Sequence, residues 1–287
     1  MALVVRGVGW VKRRDVMAKA FVIDVALCSG CYCCQVACKD EHCGNDWAPY
    51  AKPQPDTGQF WMKVDEKPCG TTPKVRVVYT PTLCNHCDKP ACMAACVHGA
   101  IYKRDDGLVI IDPGKCRYCG ECQAACPYGK VFGNDGLKVS QKCTGCAHLL
   151  DNGYSEPRCT EACPTGAFRF GDEEGLAELI KGAAVLKPET GAGPKVYYRN
   201  VPGQFIAGTL FDPAADEVVE YARVMAVSGG EIVNVLTDDF GDFWLNDLAV
   251  GSWDITITKE GYEPKYFFGV RTDDCVNLGD IGLEKKG

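Results

Sequence analysis

The most informative part of this sequence is Cys116-Arg-Tyr-Cys-Gly-Glu-Cys-Gln-Ala-Ala-Cys-Pro127. Its spacing, C-x2-C-x2-C-x3-C-P, is typical of thiolates that bind [4Fe–4S] clusters. The first three cysteines of such a run hold one cluster, and the fourth binds the neighbouring cluster of a pair. The motif therefore predicts a second motif elsewhere in the chain.

Three further groups of four cysteines have related spacings. Residues 28–38 repeat C-x2-C-x2-C-x3-C, residues 84–96 read C-x2-C-x4-C-x3-C, and residues 143–163 read C-x2-C-x12-C-x3-C before Pro164. Four motifs make two pairs, and they predict four clusters.

Four of the 20 cysteines lie outside the motifs: Cys33, Cys43, Cys69 and Cys275. Cys33 adjoins Cys34 and could replace it as a ligand, but the x2 spacing favours Cys34. The other three are predicted to be free thiols in a reducing compartment.

Zinc and disulfides are the alternative explanations for so many cysteines. Disulfides need an oxidising compartment, and no secretory signal precedes the first motif, because residues 8–16 are charged and residues 21–27 are interrupted by Asp24. Zinc sites also use C-x2-C pairs, but they need neither a third cysteine at x2 nor a fourth at x3. Clusters therefore explain the pattern better than zinc does.

The segments between the motifs also repeat. Cys96, Cys126 and Cys163 each begin the pattern C-(P/V)-x-G-x-apolar. After the first two, the chain continues to Asp106-Gly107-Leu108 and Asp135-Gly136-Leu137, which are turn signals between short apolar strands. These repeats predict a tandem bacterial ferredoxin-like fold, in which cluster binding supplies much of the folding free energy.

The C-terminal part, which is almost free of cysteine, predicts a different fold. From residue 204 onward, short alternating strands separated by turn signals predict a small all-β sandwich, which resembles transthyretin-like and carboxypeptidase-regulatory-like modules. One strand places Trp253, Ile255 and Ile257 on the same face. Residues 172–186 predict a connecting helix capped by Asp172, and the following glycines predict a linker.

The chain is therefore expected to be an α+β protein. Its expected parts are an N-terminal extension (1–20), a four-cluster domain (21–170) with an insertion at about 40–80, a helix and linker (171–203) and the sandwich (204–287). A net charge of −7 makes nucleic acid an unfavourable partner, and no apolar stretch is long enough to span a membrane. A cytoplasmic protein is expected.

The four motifs, from Phe21 to about Phe170, resemble the four-cluster iron–sulfur subunits of the dimethyl sulfoxide reductase family of molybdopterin enzymes. In that family the two outer motifs share two clusters, and the two inner motifs share the other two. The resemblance implies four [4Fe–4S] clusters and four ligand sets. The sets are Cys28, Cys31, Cys34 and Cys163; Cys38, Cys143, Cys146 and Cys159; Cys84, Cys87, Cys92 and Cys126; and Cys96, Cys116, Cys119 and Cys122.

A cluster domain followed by such a sandwich resembles the branch of small subunits that includes pyrogallol–phloroglucinol transhydroxylase and the catechol dehydroxylases. The resemblance implies an electron-transfer subunit for an enzyme that acts on polyhydroxylated aromatics by hydroxyl transfer, dehydroxylation or hydroxylation. It also implies a heterodimer with a large catalytic subunit, which would carry molybdopterin (bis-guanine dinucleotide) with Mo or W. No catalytic residue is predicted in this chain, because no nucleophile–base set or paired acid/base carboxylates stand out.

Two other functions remain open. One is the electron-transfer subunit of a respiratory molybdopterin reductase or dehydrogenase, and the other is a zinc-stabilised binding protein. Near the motifs, Tyr32, Tyr118 and Tyr128 are candidates to shield or hydrogen-bond cluster sulfur. His86 and His98 are expected to be supporting or structural residues, since sixteen thiolates are available as ligands.

Overall fold

The structure, a computed structural model, describes residues 17–287. These residues form two compact units. The first unit contains residues 17–64 and 81–200, and the second contains residues 65–80 and 201–287. Of the expected extension, residues 1–16 lie outside the described part of the chain, and Lys19 and Ala20 already belong to the first strand.

The first unit is built mainly from short helices and two- or three-stranded sheets. Its helices are α1 (Cys33–His42), α2 (Ala91–Ala94), α3 (Glu121–Ala125), α4 (Ala147–Asp151), α5 (Arg158–Glu161) and α6 (Ala177–Ile180). The strands of this part of the chain are β1 (Lys19–Asp24), β2 (Lys63–Thr71), β3 (Lys74–Thr82), β4 (Ile101–Lys103), β5 (Val109–Ile111), β6 (Phe132–Asn134), β7 (Val139–Gln141), β8 (Phe168–Asp172) and β9 (Val196–Arg199). Strands β2 and β3 pair with each other, and residues 65–80 of this hairpin belong to the second unit.

The two predicted strand–turn–strand units are confirmed. Strand β4 pairs antiparallel with β5, and β6 pairs antiparallel with β7. In the first turn Gly107 has a φ of 82°, a conformation that glycine adopts without steric cost. Each hairpin therefore brings the cysteine motif before it close to the motif after it.

A three-stranded sheet joins the two ends of the first unit. Strand β1 pairs antiparallel with β8 and parallel with β9. Phe21 on β1 is buried and packs its ring against the rings of Phe168 and Phe170, with centroids 6.0 and 4.8 Å apart. The sheet holds the segment before the first motif next to the segment after the last one.

The predicted helix over residues 172–186 is much shorter in the structure, and its predicted cap is wrong. Asp172 ends β8, and its carboxylate pairs with Lys19 Nζ at 2.9 Å, so it does not cap a helix. Helix α6 has only four residues, because Gly175 and Gly182 flank it and glycine is a poor helix former.

The predicted linker before β9 is also corrected. The backbone N–H groups of Asp88 and Lys89 donate hydrogen bonds to the carbonyls of Gly193 and Ala192, at 2.8 and 3.0 Å. Ala192 is buried, and the segment continues into β9 of the three-stranded sheet. Residues 171–200 are therefore an integral part of the first unit.

The second unit contains two four-stranded sheets. Its remaining strands are β10 (Gln204–Asp212), β11 (Glu217–Val218), β12 (Arg223–Ser228), β13 (Glu231–Leu236), β14 (Asp242–Leu248), β15 (Ser252–Thr258), β16 (Lys265–Arg271) and β17 (Val276–Gly282). One sheet has the order β11-β10-β14 with β17 parallel to β10, and the other has the order β13-β12-β15-β16. Trp253, Ile255 and Ile257 are buried in one cluster, so the predicted alternation of this strand is confirmed.

Among residues 17–287, no helix has the length and apolar character needed to cross a membrane.

Candidate metal centres

The first thiol group combines the beginning and the end of the cysteine-rich sequence. Cys28 and Cys31 lie between β1 and α1, Cys34 lies in the first turn of α1, and Cys163 follows α5. These four side chains line one pocket together with Phe168. Burial, aided by the nearby thiols of Cys28 and Cys163, raises the pKa of Cys34 to about 12. The group is therefore suited to a cation that replaces the thiol protons.

The second thiol group is the most deeply buried. It consists of Cys38 on α1, Cys143 and Cys146 around the start of α4, and Cys159 on α5. Burial holds the pKa of Cys38 well above its ordinary value, and the thiols of Cys143 and Cys146 raise it further. The pKa of Cys159 is raised by burial and then by Cys146, Cys38 and Cys143. The four thiols are thus within electrostatic reach of one another.

The third thiol group lies around α2. Cys84, Cys87, Cys92 and Cys126 line one pocket. Burial raises the pKa of Cys87 to about 12, with further contributions from Cys84, Cys92 and Cys126.

The fourth thiol group lies around α3. Cys96, Cys116, Cys119 and Cys122 line one pocket. Burial raises the pKa of Cys122, and Cys116, Cys96 and Cys119 add to this increase.

Each group takes three cysteines from one motif and the fourth from another. Cys163 of the last motif joins the first motif, and Cys38 of the first motif joins the last. Cys126 and Cys96 are exchanged between the two middle motifs in the same way. The structure brings together the same four sets of cysteines that the family resemblance implies.

The separation of the thiols indicates the size of the bound group. Sulfur ligands of a tetrahedral zinc ion lie about 3.8 Å apart, because each Zn–S bond is about 2.3 Å long. Among residues 17–287, the only His, Cys, Asp and Glu ligand atoms that lie in threes within 4.8 Å of one another belong to Cys69, Asp274 and Cys275. In this described part of the chain, no three thiols of any of the four groups meet that limit, so these groups fit a cluster of several metal atoms better than a single ion.

Backbone donors point at the thiols, as iron–sulfur ligands require. The N–H groups of Ser140 and Gly145 donate to the sulfur atoms of Cys116 and Cys143, both at 3.3 Å. Burial alone would raise the pKa of Cys163, but Thr165 and the backbone donors after it outweigh burial and lower that pKa. Such donors stabilise thiolates and tune the potential of a cluster that they bind.

Comparison with known proteins identifies the family. Residues 75–173 match the family model of the 4Fe-4S dicluster domain, and residues 206–284 match that of the carboxypeptidase regulatory-like domain. The chain is 37% identical over 275 residues to the pyrogallol hydroxytransferase small subunit of Pelobacter acidigallici, with 91% of this chain and 98% of that protein covered. This chain belongs to the iron–sulfur subunits of the dimethyl sulfoxide reductase family of molybdopterin enzymes.

Two further relatives of this iron–sulfur subunit match over a shorter length. It is 37% identical over 195 residues to a sulfite dehydrogenase subunit of Allochromatium vinosum, covering 62% of this chain and 81% of that one. It is 34% identical over 197 residues to a tetrathionate reductase subunit of Salmonella typhimurium, covering 65% and 74%. The protein is therefore an iron–sulfur electron-transfer subunit of a molybdopterin oxidoreductase, and both the predicted family and the predicted carboxypeptidase-regulatory-like module are confirmed.

Two of the three tyrosines beside the motifs have hydroxyl groups that contact other side chains and not the thiols. Tyr118 donates to Asp135 Oδ1 at 2.9 Å, and the hydroxyl of Tyr128 lies 3.4 Å from that of Thr190. The side chains of Tyr32 and Tyr128 line the first and third pockets. In the iron–sulfur subunit, these two tyrosines are therefore placed to shield a cluster.

The two histidines near the motifs differ in position. His86 is buried, and its Nδ1 accepts a hydrogen bond from the Val109 N–H at 3.0 Å, which supports the hairpin. Burial keeps the pKa of His86 well below its ordinary value, so the ring is neutral. His98 lines the fourth pocket beside its four cysteines.

Sequence reasoning missed His42 as a neighbour of the thiols. His42 is 2% exposed, and its Nε2 lies 3.8 Å from Cys146 Sγ. Burial, together with nearby His148, lowers the pKa of His42 to about 3, so the ring is neutral and can donate one N–H to the sulfur. The helical spacing of four between Cys38 and His42 was the available signal, because residues four apart share a helix face.

Sequence reasoning also missed Lys142, which precedes the fourth motif. Its side chain is buried, and its Nζ donates to the carbonyls of Val109 and, at 3.0 Å, Cys143. Burial raises the pKa of Cys92, and the charge of Lys142 reduces this increase. The iron–sulfur subunit therefore holds a fixed positive charge close to two of its thiol groups.

Cys33 and Cys43 lie outside the thiol groups. Cys33 is exposed, and Cys34 rather than Cys33 lines the first pocket. The Cys43 thiol donates to Asp56 Oδ1 at 3.0 Å.

Proposed function

We propose that this iron–sulfur subunit carries four [4Fe–4S] clusters and delivers electrons for a molybdopterin enzyme that acts on polyhydroxylated aromatics. The clusters would be held by the four thiol groups described above, with one cluster in each group. The molybdenum or tungsten pterin would be bound by a large catalytic subunit, in a heterodimer, and this chain would supply no catalytic residue of its own. Its cytoplasmic location stays a prediction that cell fractionation would test.

The single observation that carries the cluster assignment is the meeting of sixteen cysteines in four groups of four. Each group combines three cysteines of one motif with one from another, as paired [4Fe–4S] clusters require. The wide spacing of the thiols also favours clusters over single zinc ions.

Aromatic substrates are supported by one relative in particular. The pyrogallol hydroxytransferase small subunit aligns with 91% of this chain, a length that includes both units. The sulfite dehydrogenase and tetrathionate reductase subunits align with 62% and 65% of it. A role in a respiratory enzyme therefore remains the second candidate, supported by the shared cluster motifs alone.

The residues of this chain would serve the clusters in three ways. A bound [4Fe–4S] cluster supplies a one-electron carrier. Backbone N–H groups such as those of Ser140 and Gly145 donate to ligand sulfur, and buried Lys142 offsets the negative charge of the thiolates. The side chains of Tyr32 and Tyr128 limit access of water to the pockets that they line.

Elemental analysis would test the cofactor content. The native complex is purified without oxygen through a tag on this chain. About sixteen irons per chain, together with molybdenum or tungsten on a larger co-purifying subunit, are expected. Iron without molybdenum or tungsten would contradict the pterin partner, and about twelve irons or fewer would contradict four complete clusters.

Activity measurements on the same complex would test the substrate class. We expect hydroxyl transfer or dehydroxylation with trihydroxybenzenes or catechols, and no turnover with tetrathionate, sulfite or dimethyl sulfoxide. Turnover with one of these sulfur compounds and not with the phenols would favour the respiratory alternative.

A further inference from the structure

Two cysteines outside the four thiol groups meet in the second unit. Cys69 lies on β2 and Cys275 immediately precedes β17, and they are 4% and 9% exposed. The sulfur atoms of both and a carboxylate oxygen of Asp274 all lie within 4.8 Å of one another. Within residues 17–287, the four thiol groups of the first unit lack this close arrangement.

We propose that Cys69, Cys275 and Asp274 bind a single zinc ion. Zinc accepts cysteine sulfur and aspartate oxygen in four-coordinate sites, with sulfur ligands about 3.8 Å apart. Gln204 Oε1 lies 3.1 Å from Cys275 Sγ, so an amide oxygen or a water molecule can supply the fourth ligand. Binding replaces two thiol protons by two Zn–S bonds and releases both protons to solvent.

The charges around the site favour a divalent cation. Two thiolates and one carboxylate carry three negative charges. The nearby cations in the described chain are Arg76, whose Nη2 lies 4.0 Å from Cys275 Sγ, and Lys67, whose charge opposes the rise that burial causes in the pKa of Cys69. The Arg76 guanidinium is held outside the site, because it donates to the carbonyl of Gly203 at 2.5 Å and lies over the Phe205 ring. A zinc ion would offset two of the three negative charges of these ligands.

Simple apolar packing does not account for the whole arrangement. Cys69 and Cys275 do contact Phe205 and Ala207, and buried cysteines often pack as small apolar side chains. The exposed Asp274 accepts the Cys275 N–H with its Oδ1 at 2.8 Å, and this hydrogen bond holds the carboxylate beside both sulfur atoms, where it can serve as a third ligand. A zinc ion would tie the β2–β3 hairpin to the segment that leads into β17, within the same unit.

Zinc content would test the proposal in the intact complex. The complex is purified without oxygen, incubated with zinc chloride and dialysed, and zinc and iron are then measured per chain by mass spectrometry. We expect one zinc in the wild type, none in Cys69→Ser or Cys275→Ser, and less in Asp274→Asn. Cys43→Ser is the matched control and keeps the zinc. Iron is expected to be the same in all five proteins, so a failure of the cluster assignment would appear separately.

Two measurements on the wild type keep the test independent of how the variants fold. Zinc X-ray absorption should show two sulfur ligands at about 2.3 Å and oxygen at about 2.0 Å. Zinc should protect Cys69 and Cys275 from iodoacetamide, and a chelator should remove that protection. Absence of bound zinc, or a Cys69–Cys275 disulfide in the anaerobic protein, would overturn the proposal.

Discussion

The two units of this chain are stabilised in different ways. In the second unit, Trp253, Phe243 and Ile255 belong to one continuous apolar cluster, and none of its described members is a cysteine. In the first unit, an apolar cluster is built around short strands and includes the thiol side chains of Cys92 and Cys122. Two compact units of one chain can therefore depend on different sources of free energy: burial of apolar area in one and metal binding in the other.

Removal of iron should have the largest effect, and this effect should differ between the two units. We expect iron chelation under reducing conditions to unfold the first unit, because ligand thiols such as those of Cys92 and Cys122 are part of its core and its helices are only four to ten residues long. The second unit should stay folded. Hydrogen exchange would show lost protection in β4 and β5 and retained protection in β12 and β15. Equal loss of protection in both units would contradict the comparison.

Loss of one ligand should have a smaller and more local effect. Cys122→Ser removes one member of the fourth thiol group, so iron should fall by about four per chain. Iron analysis and electron paramagnetic resonance of the reduced complex would measure the loss. Cys33→Ser is the control, because Cys33 is exposed and lies outside the pockets, and its iron content should stay at the wild-type level. Unchanged iron in Cys122→Ser would refute the assignment of this ligand.

A core substitution in the second unit should lower the stability of that unit and leave the iron content of the chain unchanged. Trp253 is 1% exposed, so Trp253→Ala should lower the free energy of unfolding of this unit by about 3–5 kcal/mol. Iron content should not change. Denaturant unfolding, monitored by hydrogen exchange in β12, would measure the loss in free energy of unfolding. Phe268→Ala is the control, because that side chain is 77% exposed, and its cost should stay within about 0.5 kcal/mol.

The smallest expected effect concerns the pH dependence of the second unit. Lys285, at 2.9 Å, the Ala214 N–H and the Tyr262 hydroxyl lower the pKa of Asp212 to about 2. Because the folded pKa is lowered, the ionised carboxylate stabilises the unit above the ordinary aspartate pKa of about 3.9, and this stability is lost as the pH falls towards 2.

Asp212→Asn should therefore destabilise the second unit at pH 7, and its difference from the wild type should shrink between pH 4 and 2. Unfolding midpoints at a series of pH values would measure this difference. Asp216→Asn is the control, because Asp216 is exposed and asparagine tolerates its φ of 57°. A difference that does not change with pH would show that the loss comes from packing and not from the charge.

The features that sequence analysis predicted are local ones. The hairpins around Gly107 and Gly136 follow from short apolar strands on either side of an Asp-Gly turn. The alternation of Trp253, Ile255 and Ile257 follows from the period of a half-buried strand. These patterns depend only on residues that are close together in the sequence, so the local structure can be predicted without knowledge of the tertiary fold.

The features that sequence analysis missed depend on partners far away along the chain. The apolar pattern of residues 172–186 predicts a helix, but the pairing of β1 with β8 places Asp172 in a sheet. The sequence predicts an insertion in the cluster domain at about 40–80, whereas residues 65–80 fold with residues 201–287. No local sequence pattern predicts which distant segment a hairpin will pack with. The contact between Cys69 and Cys275 was missed for the same reason.

Because cysteines are exchanged between motifs, the thiol groups become complete in a fixed order during synthesis on the ribosome. The two inner thiol groups have all their members once Cys126 has been made, but the outer groups must wait for Cys159 and Cys163. At a typical synthesis rate this delay after Cys28 is on the order of ten seconds. During that time the first motif is a set of unpaired nascent thiols, open to oxidation and to the wrong metal. Under the proposed cluster assignment, the outer sites can be loaded only after Cys163 has been made, so the cell would have to deliver iron and sulfide to a chain whose cysteine-rich part is complete.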